Sequence, residues 1–463
     1  MTNNQKAPQF PKNDRKEIFG WITYDWANSA FYTIVITVLL GPYLTALAQA
    51  DVGKNGIVFN LGFLGSVTAE SLVPNALALS VVSQVCFLPI LGSLADYTNL
   101  KKKMMAFFCY FGVGVSCLLF FITGDNYVWG CVFMILANMS FAATNVFYNA
   151  YLVDITTEDK RDKISSYGFA AGYAAGFLVL VGSLAFLKSA ESYGIATGLA
   201  VRISMLVASL WWGVFALITF LLVKNRDPEE LHPSQNIVTV GFYELWKTLR
   251  QLVGLKYTLL FLIAYLFYND GIQTVILNSS VFLSQELFVS KGLETDQAFL
   301  LGIFMVAQAM AVIGSIIFER ISRYIGAKRT IMICLSIWGG IVVFAYAFLA
   351  SYLQAWIMGA FIGLVLGSTQ ALSRSLFSQM IPKGRESSFF GLYEISEKGT
   401  SWLGNMVFAI VIATTGSYRQ AILCLIFFFA VGIVILLFTN TAKAIHEAGN
   451  LTPEEAAGES RRL

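Results

Sequence analysis

The sequence predicts an all-α, polytopic membrane protein of twelve transmembrane helices in two pseudo-symmetric six-helix bundles. Three observations predict it. Of 463 residues, 57% are hydrophobic and only 13% are charged, against roughly 45–50% and about 25% in a soluble domain, so lipid must be the solvent for most of the chain. Twelve windows are apolar over the roughly 20 residues that a hydrocarbon core demands. Glycines and an acid of the first six windows recur in the last six.

The elements follow in order. Residues 1–17 are polar and basic and lead into no short apolar core with a small-residue cleavage site, so a cytoplasmic N-terminal tail and a retained first helix are expected. Helices are expected near 18–48, 72–95, 104–123, 127–152, 163–188 and 203–223, forming an N-terminal bundle over 18–223. A linker over 224–254 follows, in which Phe242, Leu245, Trp246, Leu249, Leu252 and Val253 recur at helical spacing, with Lys247 and Arg250 on the other face. That pattern predicts an amphipathic helix lying in the cytoplasmic interface. Helices near 257–285, 298–319, 330–350, 354–378, 387–415 and 419–439 form the C-terminal bundle over 255–440, and a polar, mobile cytoplasmic tail is expected over 441–463.

Gly92-Ser93-Leu94 recurs as Gly314-Ser315-Ile316, and Gly168 and Gly176 recur as Gly391 and Gly399, at nearly one offset. Asp25 on the first helix has a counterpart in Asp270 on the seventh. Such matches point to a parallel duplication. Lys and Arg set the orientation: with both termini cytoplasmic, 24 of the 31 fall on that side and 5 on the other. The expected place is therefore a cell membrane, plasma or inner, with both ends inside.

Composition excludes several classes. A net charge of +3 gives no footprint for nucleic acid. The six cysteines stand singly in apolar runs, without C-x-x-C or Cys/His spacing, so no metal, disulfide framework or cofactor is expected. The two histidines, His232 and His446, lie in polar segments. Any proton carrier inside the membrane must then be a carboxylate.

Six ionisable residues fall within spans: Asp25, Asp270, Arg374, Glu394, Glu397 and Lys398. Each costs about 2.5–3.5 kcal/mol at a helix centre on the insertion scale, a cost offset when the group faces a wet cavity or another charge. Polar stripes accompany them: Asn28, Ser29 and Tyr32 with Asp25; Asn138, Asn145 and Asn149; Gln273, Thr274 and Asn278 with Asp270; Gln370 and Ser373 with Arg374. Such stripes serve either as interhelical glue or as a cavity lining, and Asp270 near mid-helix favours the cavity. Glu394 and Lys398, four apart, either neutralise each other or belong to the site. After the second helix, Gly92 lets two helices approach and Asp96 is placed to cap a neighbouring helix or pair with a cation, latching the cytoplasmic side. Lys101 and Lys102, with Gly314, Glu319 and Arg320 in the second half, complete the gating candidates. For the lysines, topology-setting charge is the plainer reading.

The Gly92…Asp96…Lys101-Lys102-Lys103 loop is similar to the signature loop of the major facilitator superfamily, departing from it at Tyr97 and Asn99. Tyr24-Asp25-Trp26-Ala27-Asn28-Ser29-Ala30-Phe31, Phe147-Tyr148-Asn149-Ala150, Tyr268-Asn269-Asp270-Gly271 and Phe389-Phe390-Gly391-Leu392-Tyr393 resemble the branch named after the fungal autophagy-related vacuolar effluxer. The resemblance spans roughly 17–440 and implies two bundles that rock about a central cavity lined by helices 1, 4, 7 and 10, with helices 3, 6, 9 and 12 facing lipid. The expectation is a secondary transporter of a small polar solute, an amino acid or similar zwitterion favoured, acting as a monomer without being an enzyme. Arg374 would pair a carboxylate and Asp25 or Asp270 an ammonium. Asp270 is the first candidate for a proton carrier, then Glu394 or Glu397. A carrier of sugars or drug-like compounds and a non-transporting receptor or scaffold are the alternatives.

Overall fold

A computed structural model describes residues 10–54, 56–60, 66–98, 100–225, 237–398 and 401–460. Six helices form the first half: α1 (Arg15–Val52), α2 (Leu72–Tyr97), α3 (Lys101–Phe121), α4 (Gly124–Ile155), α5 (Glu158–Ala190) and α6 (Thr197–Leu222). The helix α7 (Ile237–Gly254) links them to the second half. There follow α8 (Lys256–Lys291), α9 (Gln297–Ile325), α10 (Ala327–Ala347) and α11 (Tyr352–Gln379). Next come α12 (Glu386–Lys398) and α13 (Ser401–Thr415), which together cover the window expected as one span at 387–415, and then α14 (Tyr418–Phe438). Among the described residues, eleven helices are long and apolar enough to cross a membrane, and α13 is a shorter apolar one.

The third helix of each triplet faces outward as expected. Phe107 and Phe121 on α3, Val214 and Leu221 on α6, and Phe427 and Phe438 on α14 are exposed, a disposition that only lipid solvates well. Helix α1 contains a π-helical stretch, Tyr32–Leu39, directly after its polar stripe. Between α1 and α2 the chain makes a short antiparallel ribbon, β1 (Ile57–Asn60) with β2 (Ser66–Thr68), which the hydropathy windows do not register.

The linker helix forms: Glu244, Thr248 and Leu252 are buried, while the apolar Trp246 and Val253 are each 69% exposed. Its inner face rests on α2, where Gly241 leaves room for Ile90. Glu244 finds a cation on the inner side. The polar tail, expected to be mobile, is instead structured. Helices α15 (Thr441–Glu447) and α16 (Pro453–Ser460) dock on the lysine- and arginine-rich end of the molecule, called the basic end below. There the buried Asn450 donates to the carbonyls of Gln379 and Ile381, each at 2.8 Å.

Candidate functional site

Near the C-terminal end of α11, Arg374 places a guanidinium between the two halves. Its Nη1 and Nη2 reach Asp25 Oδ2 at 3.3 and 3.2 Å; Nη1 also donates to Asn149 Oδ1 at 3.3 Å. Nε donates to Ser165 Oγ and Nη2 to the Ser165 carbonyl, both at 2.9 Å. An arginine has five N–H donors in a rigid fork, and here all five are used. The charge also lies over the rings of Phe169, Trp21 and Tyr148, at 4.2, 4.8 and 5.4 Å. Trp21 and Tyr148 are themselves stacked at 4.4 Å, and the Trp21 indole donates to the Tyr148 carbonyl at 2.8 Å, so the aromatic wall is rigid. Asn149 completes the chain by donating to Glu394 Oε1 at 2.9 Å.

Asp25, Asn149, Arg374 and Glu394 are thus brought together as one cross-half network from α1, α4, α11 and α12. Small residues make this possible: a Cβ on Gly168 would collide with Asp25, Arg374 and Trp21. One turn farther along, Asn28 donates to Asn145 Oδ1 at 3.1 Å, and the half-exposed Tyr32 stacks on Phe141 at 5.0 Å. Gln273 is half-buried, and its side chain makes no hydrogen bond within the described residues. The Glu397 carbonyl accepts from Asn269 at 2.7 Å, and its side chain is half-buried. The side chain of Lys398 lies outside the described residues, and with it the expected Glu394–Lys398 pairing. Asp270 stands apart from the network. It is fully buried in the second half, and its Oδ2 accepts the Gly404 N–H at 2.9 Å.

The gate candidates divide. Asp96 caps the first turn of α12 across the halves: Oδ1 accepts Ser387 N–H at 2.8 Å, and Oδ2 accepts Ser388 N–H and Oγ–H, both at 2.6 Å. A carboxylate on exposed helix N–H groups also meets the positive end of the helix dipole. Gly92 lets this happen, because a Cβ there would strike the Ser387 backbone; Gly391 opposite lies in a looser but still tight contact with Leu88 and Pro89.

The other gate candidates do not cross. Lys101 pairs with Asp154 at 3.1 Å within the first half. Lys102 Nζ takes the Val223 carbonyl at 2.6 Å, capping the end of α6. Gly314 accommodates Leu364 of α11 inside the second half. Glu319 is held by Arg323 one turn on, at 2.6 Å, and Arg320 is exposed. Apart from the exposed Arg320, each finds a nearer partner in its own half.

The second latch is built from residues that sequence reasoning counted only as loop charge. Arg161 Nη1 donates to the Ser378 carbonyl at 3.0 Å, and Asp162 Oδ1 accepts from Ser375 Oγ at 2.5 Å and Gln379 Nε2 at 3.3 Å. Tyr97, standing where the signature loop usually has a base, accepts from Arg385 Nη2 at 2.5 Å. Glu244 of α7 takes the same guanidinium at 3.2 Å, which sets the inner face of the linker helix. The signal available in sequence was the position of Arg161-Asp162 at the start of helix 5. All these contacts lie toward the basic end, so the halves are closed there. A cavity of about 1130 Å³ also lies at that end, with Asp162, Gln379, Lys328 and Glu454 in its wall. It lies beneath the tail helices and is separate from the Arg374 network, where the chemistry is concentrated.

Against known proteins, residues 13–449 match the family described as vacuole effluxer Atg22-like. The uncharacterized MFS-type transporter YxiO of Bacillus subtilis is 32% identical over 431 residues, 92% of this chain and 95% of that protein. Autophagy-related protein 22 of Kluyveromyces lactis is 24% identical, over 96% of this chain and 97% of its own. Among solved structures, the Escherichia coli fucose:proton symporter FucP superposes with a TM-score of 0.67 at 12% identity, covering 91% of this chain and 98% of its own. The human organic anion transporter MFSD10 gives 0.65 at 11%, covering 92% and 100%. These two likenesses establish the fold.

Proposed function

The chain belongs to the Atg22-like vacuole effluxer family of major facilitator transporters, and on that premise we propose that it carries a small zwitterion, an amino acid or close analogue, across a cell membrane by alternating access driven by protons. It is a multi-pass secondary transporter and not an enzyme. Both termini face the cytoplasm in this reading, since 24 of 31 basic residues lie at that end. The described conformation is then closed to the cytoplasm.

One observation carries the substrate class: a buried ion pair, Asp25–Arg374 at 3.2 Å, that joins the halves. Separating a buried pair and leaving each charge alone costs about 3–5 kcal/mol. A cation alone would satisfy Asp25 and strand Arg374; an anion would do the reverse. A zwitterion satisfies both, its carboxylate taking the guanidinium fork and its ammonium taking Asp25, with Glu394 behind. The substrate thereby substitutes for one of the contacts that hold the halves together, and closure and release are linked through that pair of charges.

The experiment is uptake into proteoliposomes with panels of amino acids, sugars and drug-like compounds, with and without a pH gradient. Gradient-driven accumulation of at least one amino acid, lost in Arg374→Ala, is expected. Movement of another class with no amino acid moved sinks the zwitterion reading.

A further inference from the structure

We propose that the outer face of α7 is a binding surface for anionic phospholipid of the cytoplasmic leaflet, and that lipid bound there holds the basic end closed. The inference goes beyond the transport reading and takes from it only which leaflet is meant. Helix α7 is not among the helices long and apolar enough to cross a membrane. It nevertheless exposes large apolar side chains, Trp246, Leu249 and Val253, with Tyr243 beside them. Spaced three, four and seven apart, the first three share one stripe. A stripe of that kind on a helix that does not span needs a partner.

The level at which α7 sits supplies that partner. Along the spanning helix α2, Leu79, Val82 and Phe87 are exposed, which is the side it turns to lipid. Ile90 continues that side toward the basic end, and Gly241 of α7 lies against it; a Cβ on the glycine would sit 3.0 Å from the Ile90 side chain. Helix α7 therefore docks where the lipid-facing side of α2 ends, at the height of the headgroups. Tryptophan and tyrosine are favoured at that height, where one end of the side chain is apolar and the other wet. Charge then selects among lipids. Of the three charged residues on α7, Glu244 is buried, whereas Lys247 and Arg250 are exposed, Arg250 one turn from both Trp246 and Val253. A guanidinium takes a phosphate bidentately. A zwitterionic headgroup already brings its own cation to that phosphate and an anionic one does not, so the surface favours the anionic lipid.

The inner face of the same helix reaches the latch. Arg385, in the turn before α12, donates to Thr248 Oγ1 at 3.3 Å and to Tyr97 Oη at 2.5 Å, and pairs with Glu244 at 3.2 Å. Tyr97 follows Asp96, whose carboxylate caps the first turn of α12. Helix α7 thus holds α2 through Gly241 and Ile90, and the approach to α12 through Glu244 and Thr248. When α2 and α12 part, α7 can follow only one of them. All of these contacts, and the docked level of the outer face, therefore coexist only in the closed arrangement. Lipid that favours the docked level favours closure, by the difference in its affinity for the two arrangements.

The test uses the purified full-length protein in nanodiscs of phosphatidylcholine, alone or mixed with phosphatidylglycerol, with bromine on the acyl chains of one lipid or the other. Fluorescence of Trp246 is read as the difference between wild type and Trp246→Phe. Its quenching is expected to show a preference for phosphatidylglycerol of about fivefold, the equivalent of about 1 kcal/mol for one basic residue at an anionic surface. Arg250→Gln should bring the two lipids level. Alkylation of Ser378→Cys at the basic end should be about fivefold slower with phosphatidylglycerol than without, by the same conversion. That difference should vanish in Arg250→Gln and in Glu244→Gln, the second of which keeps the quenching. A Trp246 signal that neither brominated lipid quenches overturns the proposal, because something other than lipid then covers the stripe. Equal quenching by the two lipids in wild type overturns it too, and so does labelling indifferent to phosphatidylglycerol. Trp246 and Arg250 are exposed, so their variants leave the folded core intact. Discs carry the same lipid on both faces and need no substrate, so these readouts stand whichever solute is carried and whichever end is cytoplasmic.

Discussion

At the scale of single residues, the polar network is specific about geometry and not only about charge. Arg374 uses its planar fork to hold Asp25, Asn149 and Ser165 at once. Lysine keeps the charge but not the fork, so Arg374→Lys is expected to reduce transport by roughly 100-fold, the effect of losing about 3 kcal/mol. Rates of uptake in proteoliposomes check this; activity within twofold of wild type would mean that only the charge matters. The participants themselves were legible, because Asp25, Arg374 and Glu394 are conspicuous as charges within spans and Asn149 lies on an expected polar stripe. Their partnering was not. Helical spacing places a side chain on a face of its own helix, and says nothing about which helix of the other half faces it. Ser165 escaped notice because a serine in a glycine-rich helix carries no distinguishing pattern.

At the scale of elements, two glycines that look equivalent in sequence do different work. Gly92 separates α2 from α12 across the halves, whereas Gly314 separates α9 from α11 within one half. A β-branched side chain at either site overpacks a contact, at about 1–3 kcal/mol. Gly92→Val is expected to bear on the conformational equilibrium: the halves can no longer close at the basic end, so Ser388→Cys becomes at least tenfold faster to alkylate. Gly314→Val is expected to lower the melting temperature by several degrees without changing that labelling. Equal effects of the two on both measurements would count against the assignment of roles. The repeat that identifies Gly92 and Gly314 as counterparts is real at the level of helix order. It misleads about contacts, since the second latch came from Arg161 and Asp162 on α5 instead of the loop that mirrors the first. Helix α7 forms on its apolar periodicity, but the contact that docks it, Glu244 on the Arg385 guanidinium that also donates to Tyr97, has no signature in that pattern.

At the scale of the whole molecule, the basic end is closed three times over: by Asp96 on α12, by Arg161 and Asp162 on α11, and by the tail. Helix α16 packs against the turn at Glu158–Lys160 in the first half, while Asn450 binds the end of α11 in the second. The tail therefore spans a seam that must part in every cycle. Its order had a signal in the sequence, a Thr452-Pro453-x-Glu455 start: Glu455 Oε2 accepts the Thr452 N–H at 2.8 Å, and Pro453 sits in the first turn, where its missing donor costs nothing. The His446 ring nitrogen, 3.0 Å from Glu455, is the main cause holding that carboxyl down at about 2. A depressed carboxyl stabilises fully above its unfolded value and loses its contribution as pH falls toward the folded one, so α16 should keep its cap from pH 8 to about pH 4.5 and lose it only toward pH 2. Removing residues 441–463 should then have the effect that mild acid does not. With two hydrogen bonds of about 1 kcal/mol each gone from Asn450 alone, the open population at the basic end is expected to rise at least tenfold, read as faster alkylation of Ser378→Cys, and Asn450→Ala should reproduce a large part of that rise. If the truncated protein labels at the wild-type rate, the tail merely rests on the seam, and the two interhelical latches alone set how often this end opens.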